Sequence, residues 1–98
     1  MRYQWDTSKA ALNFDKHGLS FEDAHLVLEA DCFTVLDDRK NYGEKRFITF
    51  GMLRGRLVVI AHTDREDEVR IISMRKANER EQDSYQERLE ANRRHARR

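Results

Sequence analysis

The chain has 98 residues, 39% of them apolar and 38% charged, with a net charge of +1. That length allows one domain with one modest core, and the near-balance of charges rules out arguing for a nucleic-acid partner from overall charge. A single cysteine excludes an intrachain disulfide, and no apolar run approaches the ~20 residues needed to cross a bilayer.

Met1 to Trp5 reads as a short strand. Asp6 then caps a helix, its carboxylate placed to accept from the amides of Ser8 or Lys9, and that helix runs to about His17. Gly18 supplies the left-handed residue that ends it. Ser20 with Asp23 makes a capping-box-like second start, and Leu19 is placed to staple against Ala24. Phe21, Ala24, Val27 and Leu28 recur at helical spacing, so a second helix ends near Glu29 or Ala30 and an N-terminal helical hairpin is expected.

Cys32 to Leu36 reads as a strand, Asp37 to Glu44 as a polar loop with Gly43, and Lys45 to Met52 as the next strand. Arg54-Gly55 is a turn before Leu57 to Thr63, and Arg65 to Glu68 connects to a strand beginning at Val69. Connections this short favour antiparallel neighbours, so the last three strands are expected to form a meander. From Lys76 onward helix formers dominate, but the apolar stripe is only Ala77, Tyr85 and Leu89, which leaves the C-terminal helix half exposed. The expected architecture is α+β: helical hairpin, antiparallel β-sheet, C-terminal helix, with residues 1–90 as one domain and 91–98 as a basic tail.

The segment from Val58 to Ala77 carries the densest chemistry. His62 ends an apolar strand, where an imidazole either moves protons near neutral pH or is satisfied by a backbone carbonyl. Arg65 either forks onto a phosphate or pairs with Asp64, Glu66 or Asp67. On a strand Arg70 and Arg75 have opposite parity, so they share a cleft only through a bulge or the strand end. Lys16 and His17 either bind phosphate or complement the dipole at the end of the first helix. Arg46 either projects into the same region or is solvated, and Tyr85 is better explained by packing with Leu89 than by a place near a scissile phosphate. His25 and His95 are assigned no role. No Cys/His spacing of ligand type suggests zinc, and no signal-type N-terminal region is present, so a cytosolic protein is expected.

The order of motifs is informative as a set: Trp5-Asp6 with Lys9, Asn13 with Lys16-His17-Gly18, Ser20 to Ala24, Glu44 to Phe47, His62-Thr63, and Arg70 to Ala77 followed by Glu81 and Tyr85. From Trp5 to Tyr85 this resembles the BrnT family of toxins. The resemblance implies a RelE-like fold and a type II toxin that blocks translation by metal-independent RNA cleavage, without a cofactor. It implies a BrnA-like antitoxin with a ribbon-helix-helix domain, contact with operator DNA only through that antitoxin, and a heterotetramer in the cytoplasm. Carried over as catalytic are His62, Arg65, Arg70 and Arg75, and as substrate-binding Lys16, His17, Arg46 and Thr63. Met74 departs from the pattern, since the family often has a small residue there, and this would reshape the site locally. The competing reading is a non-catalytic binding module for nucleic acid or protein, or a degenerate toxin, separated from the enzyme by whether a titrating His62 stands beside the cations.

Overall fold

A computed structural model describes the backbone of residues 1–96 and the side chains of residues 1–93. The chain opens with strand β1 (Arg2–Gln4), after which the Asp6 carboxylate accepts the Lys9 amide at 3.0 Å and starts helix α1 (Thr7–His17). Gly18 closes the helix at φ 69°, a left-handed conformation costly for residues with a Cβ, and its N–H donates to Phe14 O at 2.7 Å. Ser20 then accepts the Glu22 amide and opens a 3₁₀ turn (Phe21–Asp23) that runs into helix α2 (Ala24–Leu28).

Four longer strands follow: β2 (Cys32–Asp37), β3 (Arg46–Leu53), β4 (Arg56–Arg65) and β5 (Glu68–Lys76), and then helix α3 (Glu79–Ala96). The last helix begins with a reciprocal cap: Glu81 N–H donates to Asn78 Oδ1 at 2.8 Å while Asn78 N–H donates to Glu81 Oε1 at 2.9 Å. It remains helical through Ala96, so the first part of the expected basic tail continues the helix; Arg97 and Arg98 lie outside the described residues. No described helix is long and apolar enough to cross a membrane.

The five strands form one sheet in the order β1-β5-β4-β3-β2. The β2 to β5 run is antiparallel, as short connections require, but β1 pairs parallel to β5 with Tyr3 opposite Val69. The sheet is therefore mixed, which corrects the purely antiparallel expectation. A three-residue edge strand joined to no neighbour by a turn leaves no connection length to reveal its partner. In the region of the expected N-terminal helical hairpin, α1 follows strand β1, as read from the sequence, and the second helical segment is a 3₁₀ turn plus five α-helical residues. Its buried positions Phe21, Ala24 and Val27 repeat every three residues, the period of a 3₁₀ helix.

Each face of the sheet has its own core. On one, Phe21, Ala24 and Val27 pack on Val58, Ile60 and Met74, with Trp5 and Ala10 alongside. On the other, Tyr85, Leu89 and Ala77 of the C-terminal region pack on Leu57, Val59, Phe33 and Phe50. The stripe read from the sequence is thus the buried side of α3.

Two local features fix the position of β5. Beyond its pairing with β1 its outer edge has no strand neighbour, and the Asn13 carboxamide takes that place: Nδ2 donates to Met74 O at 2.9 Å and Oδ1 accepts Met74 N–H at 3.2 Å. Then the register slips by one residue. Ala61 pairs with Ser73 but His62 pairs with Ile71, leaving Ile72 as a bulge. The β4–β5 turn is tighter than expected, Glu66 and Asp67 alone, because β4 extends to Arg65 and β5 begins at Glu68.

Candidate nucleic-acid interface on the open half of the sheet

Side chains alternate along a strand, and the bulge at Ile72 reverses that alternation once. Met74 therefore shares the α1/α2 face with Ile71 and Val69, while Arg70, Ser73 and Arg75 share the α3 face. The strand register brings Arg70 opposite Thr63, and one step beyond the Phe47–His62 pair puts Arg46 beside Thr63 on the same face. Asp37 pairs with Arg46 from β2. A row runs across the sheet: Gln4, Arg70, Thr63, Arg46, Asp37. Helix α3 packs on the other half of this face; within the row Gln4, Arg70 and Arg46 are half-buried, and Thr63 and Asp37 are buried.

The side chains of the row are held by few partners. Arg70 Nη1 donates to Gln4 Oε1 at 3.2 Å, and the Arg46 guanidinium lies 4.0 Å from the centre of the Tyr42 ring. Asp37, 7% exposed, accepts from Arg39 Nε at 2.8 Å, from Arg39 Nη2 at 2.9 Å and from the Tyr42 hydroxyl at 3.1 Å. Those bonds, the Arg39 fork foremost, hold the Asp37 carboxyl well below the usual carboxylate range and raise the Arg39 pKa in turn. The loop after β2 is thereby anchored with Arg39 and Tyr42 beside the row. Arg75 makes a bidentate pair with Glu81 at 2.7 and 2.8 Å, which raises its own pKa against burial and against repulsion from nearby Arg39, and lowers that of Glu81.

Two donors in the middle of this arrangement lack an acceptor among the described residues: Thr63 Oγ1, on a side chain 1% exposed, and Arg46 Nε. Buried polar atoms are nearly always paired, so these two exceptions leave unused hydrogen-bonding capacity beside the arginines.

His62 is elsewhere. It shares the α1/α2 face, 3% exposed, with Nε2 2.7 Å from Thr49 Oγ1 and Nδ1 2.7 Å from Asp64 Oδ1. Thr49 Oγ1 in turn lies 2.8 Å from Thr34 Oγ1, and the Phe47 ring stacks on the imidazole at 6.0 Å between centroids. Both ring nitrogens are occupied, and neither by the backbone carbonyl considered from sequence. His62 does not stand beside Arg70, Arg75 or Arg46, because adjacent residues on β4 point to opposite faces: Thr63 belongs to the row and His62 to the α1/α2 face.

Of the remaining candidates, Arg65 lines a pocket with His62 and Asp64, away from the row, and the others lie apart from both. Arg65, at the end of β4, donates to Glu44 Oε2 at 3.3 Å, an exposed pair with an acid other than the neighbours considered. Lys16 and His17 end α1, on the far side of the sheet from the row. Tyr85, 8% exposed, stands edge-on to Phe33 at 5.4 Å, so packing is its role. Arg39 and Tyr42 escaped the sequence reading inside a polar loop; the Asp37-x-Arg39 spacing was the available signal, since an aspartate commonly bonds the backbone two residues on, and Arg39 N–H does donate to Asp37 Oδ1. Among the described residues no group of three or more His, Cys, Asp or Glu side chains is placed to hold a metal ion.

The arrangement is a cationic, hydrogen-bonding surface laid on a rigid sheet, suited to the phosphates of a nucleic acid. The chain matches the family model described as ribonuclease toxin, BrnT, of type II toxin-antitoxin system, over residues 5–81. No curated protein matches it.

Proposed function

The chain belongs to the BrnT family of ribonuclease toxins of type II toxin-antitoxin systems, and from that premise we propose that it cuts RNA without a metal ion on the α3 face of its sheet. The observation that carries this placement is the Ile72 bulge, which turns Arg70 and Arg75 to one face and sets Arg70 beside Thr63 and Arg46. The scissile phosphate lies over Thr63, its non-bridging oxygens accepting from the Thr63 hydroxyl and the Arg46 and Arg70 guanidiniums. These charges are strongest where the phosphorane develops its extra negative charge. The substrate 2′-oxygen forms a bond to phosphorus as the bond to the 5′-oxygen breaks; the 2′-hydroxyl proton passes to a solvent water acting as base, and the 5′-oxygen takes its proton from an arginine of the site. Arg75 and Arg39 extend the cationic surface, and an arginine serves as the weak acid partner. His62 is a positioning residue that holds β4 from the opposite face.

A type II toxin is one half of a pair with a protein antitoxin. The partner we propose is a BrnA-like ribbon-helix-helix protein that covers the arginine row, meets operator DNA itself, and pairs two toxins in a heterotetramer. Released in the cytoplasm, the RelE-like toxin stops translation by destroying RNA. The test is inducible expression with and without the antitoxin, scored for growth and RNA integrity, beside cleavage by purified protein in excess EDTA. Arg70→Ala is expected to remain folded and lose cleavage. Full cleavage by that variant, or activity abolished by EDTA and restored by magnesium, would refute the assignment.

A second reading is favoured by one observation: the row of Gln4, Arg70, Thr63, Arg46 and Asp37 contains no histidine, the side chain best suited to proton transfer at a cutting site and dispensable at a binding site. On that reading the arginines hold RNA or an acidic partner without cleaving it. Tight RNA binding by purified protein with the RNA recovered intact would favour it.

A further inference from the structure

Beside the arginine row, the sheet passes under α3 and leaves a groove of about 250 Å³. Phe33, Val35, Phe50 and Tyr85 form its walls, and Arg80 and Arg88 stand at its rim. The Arg88 guanidinium lies 5.4 Å from the centre of the Phe33 ring. Its acidic lining residue, Glu81, is already neutralised by the bidentate pair with Arg75. The groove lies on the same face as the row, one cross-strand line of residues (Ser73, Ala61, Ile48, Val35) separating the Arg75 line from the Arg70 line.

We infer that this groove takes a single unstacked nucleobase of RNA, next to the phosphate bound by the arginine row. The inference rests on the proposed function for the location of the phosphate and extends it to a base-binding site. Apolar and aromatic walls suit the flat face of a base, while cations on the rim suit the phosphates on either side of it. A free carboxylate at the rim would repel those phosphates, and here the one carboxylate is paired. Val35 on the floor is 37% exposed, an apolar surface left open where α3 ends its cover. Ser84 lines the groove from the exposed side of α3 and can present its hydroxyl to a base edge.

The test measures binding of a short 2′-O-methyl RNA of mixed sequence, which cannot be cut, with one abasic site moved along it. The parent protein is expected to lose affinity roughly ten-fold when the missing base is the one that enters the groove. Ser84→Trp fills the groove and Arg88→Ala uncovers the Phe33 ring; both parent side chains are exposed, so both variants should fold. Ser84→Trp is expected to bind intact RNA as weakly as the parent binds RNA lacking that base and to be indifferent to its removal, whereas Arg88→Ala, which loses a rim cation but keeps the groove open, binds more weakly and still responds to removal of the base. An abasic profile unchanged in folded Ser84→Trp would overturn the inference. So would parent-like RNA binding by Ser84→Trp together with failure to bind the antitoxin, which would assign the groove to the protein partner. Cleavage of the matching unmodified RNA is read separately: a base-specific loss of binding without any cutting by the parent would overturn the ribonuclease reading and leave the base site standing.

Discussion

Replacing His62 by alanine separates the two faces of the sheet most sharply. The imidazole is 3% exposed and is held at 2.7 Å by Thr49 and at 2.7 Å by Asp64, so truncation leaves a cavity and two broken hydrogen bonds. Thr49 keeps its partner Thr34, and the Asp64 side chain, 50% exposed, is rehydrated, so the loss falls mainly on the cavity and the Thr49 bond. Together these amount to about 2–4 kcal/mol. For a domain of this size that lowers the melting temperature by roughly 10–20 °C. Thermal melts by circular dichroism measure it, and RNA cleavage is assayed well below the variant's midpoint. There the folded fraction of His62→Ala is expected to retain cleavage, whereas Arg70→Ala melts like the parent and cleaves nothing. A His62→Ala protein with a parental melt and no activity would refute the division, because it would show an imidazole spent on chemistry rather than on holding β4.

Asn13→Ala removes the carboxamide that completes the edge of β5; with two bonds lost and the Met74 backbone groups left without partners, destabilisation of about 2–3 kcal/mol is expected. Hydrogen exchange at the Met74 amide checks the mechanism, since it should accelerate in this variant before amides elsewhere in β5. Gly51→Ala puts a Cβ 2.7 Å from Val27 Cγ1 and 3.2 Å from Cys32 Cβ, an overpacking cost of about 1–3 kcal/mol. In a double-mutant cycle with Val27→Ala that cost should shrink, and strict additivity would show that the clash is not the cause. Glu81→Gln keeps the reciprocal cap with Asn78 but loses the charge facing Arg75, a difference of about 1 kcal/mol at neutral pH for a partly exposed pair. Because the folded-state pKa of Glu81 is lowered, its contribution is present above the ordinary glutamate range and fades as pH falls through the lowered value. Denaturant melts of parent and variant should therefore converge as pH falls below the ordinary glutamate range, and a gap unchanged in acid would exclude the ion pair as its source.

The features that could be read from sequence are those with local causes. Asp6 caps α1 and Gly18 ends it; Arg54 and Gly55, both at positive φ, make the turn between β3 and β4. Tyr85 and Leu89 name the buried side of α3. What escaped depends on residues distant in sequence. The parallel pairing of Arg2 with Glu68 has no turn to announce it, and Asn13 meets Met74 across 61 positions. The candidate site shows the same division: residue types suitable for phosphate were visible, but their faces were not, because one extra residue in β5 changes which of them point together.

That one residue also accounts for the polar density of the segment from Val58 to Ala77. In a regular ladder the even positions of β5 would follow Arg70 to one face, taking Met74 with it, and Arg75 would go to the other. Met74 is fully buried against the α1/α2 core, opposite Ile60, and Ile71 and Val69 are buried on the same side. The core thus requires apolar residues at 69, 71 and 74, a spacing that no unbroken strand can satisfy. Bulging at Ile72 meets that requirement, and by the same rotation delivers both Arg70 and Arg75 to the face where Thr63 and Arg46 lack acceptors. The burial of Met74 and the gathering of the arginines are consequently one structural event. A substitution that relaxes the bulge should disturb RNA binding and core stability together, even though no arginine is touched.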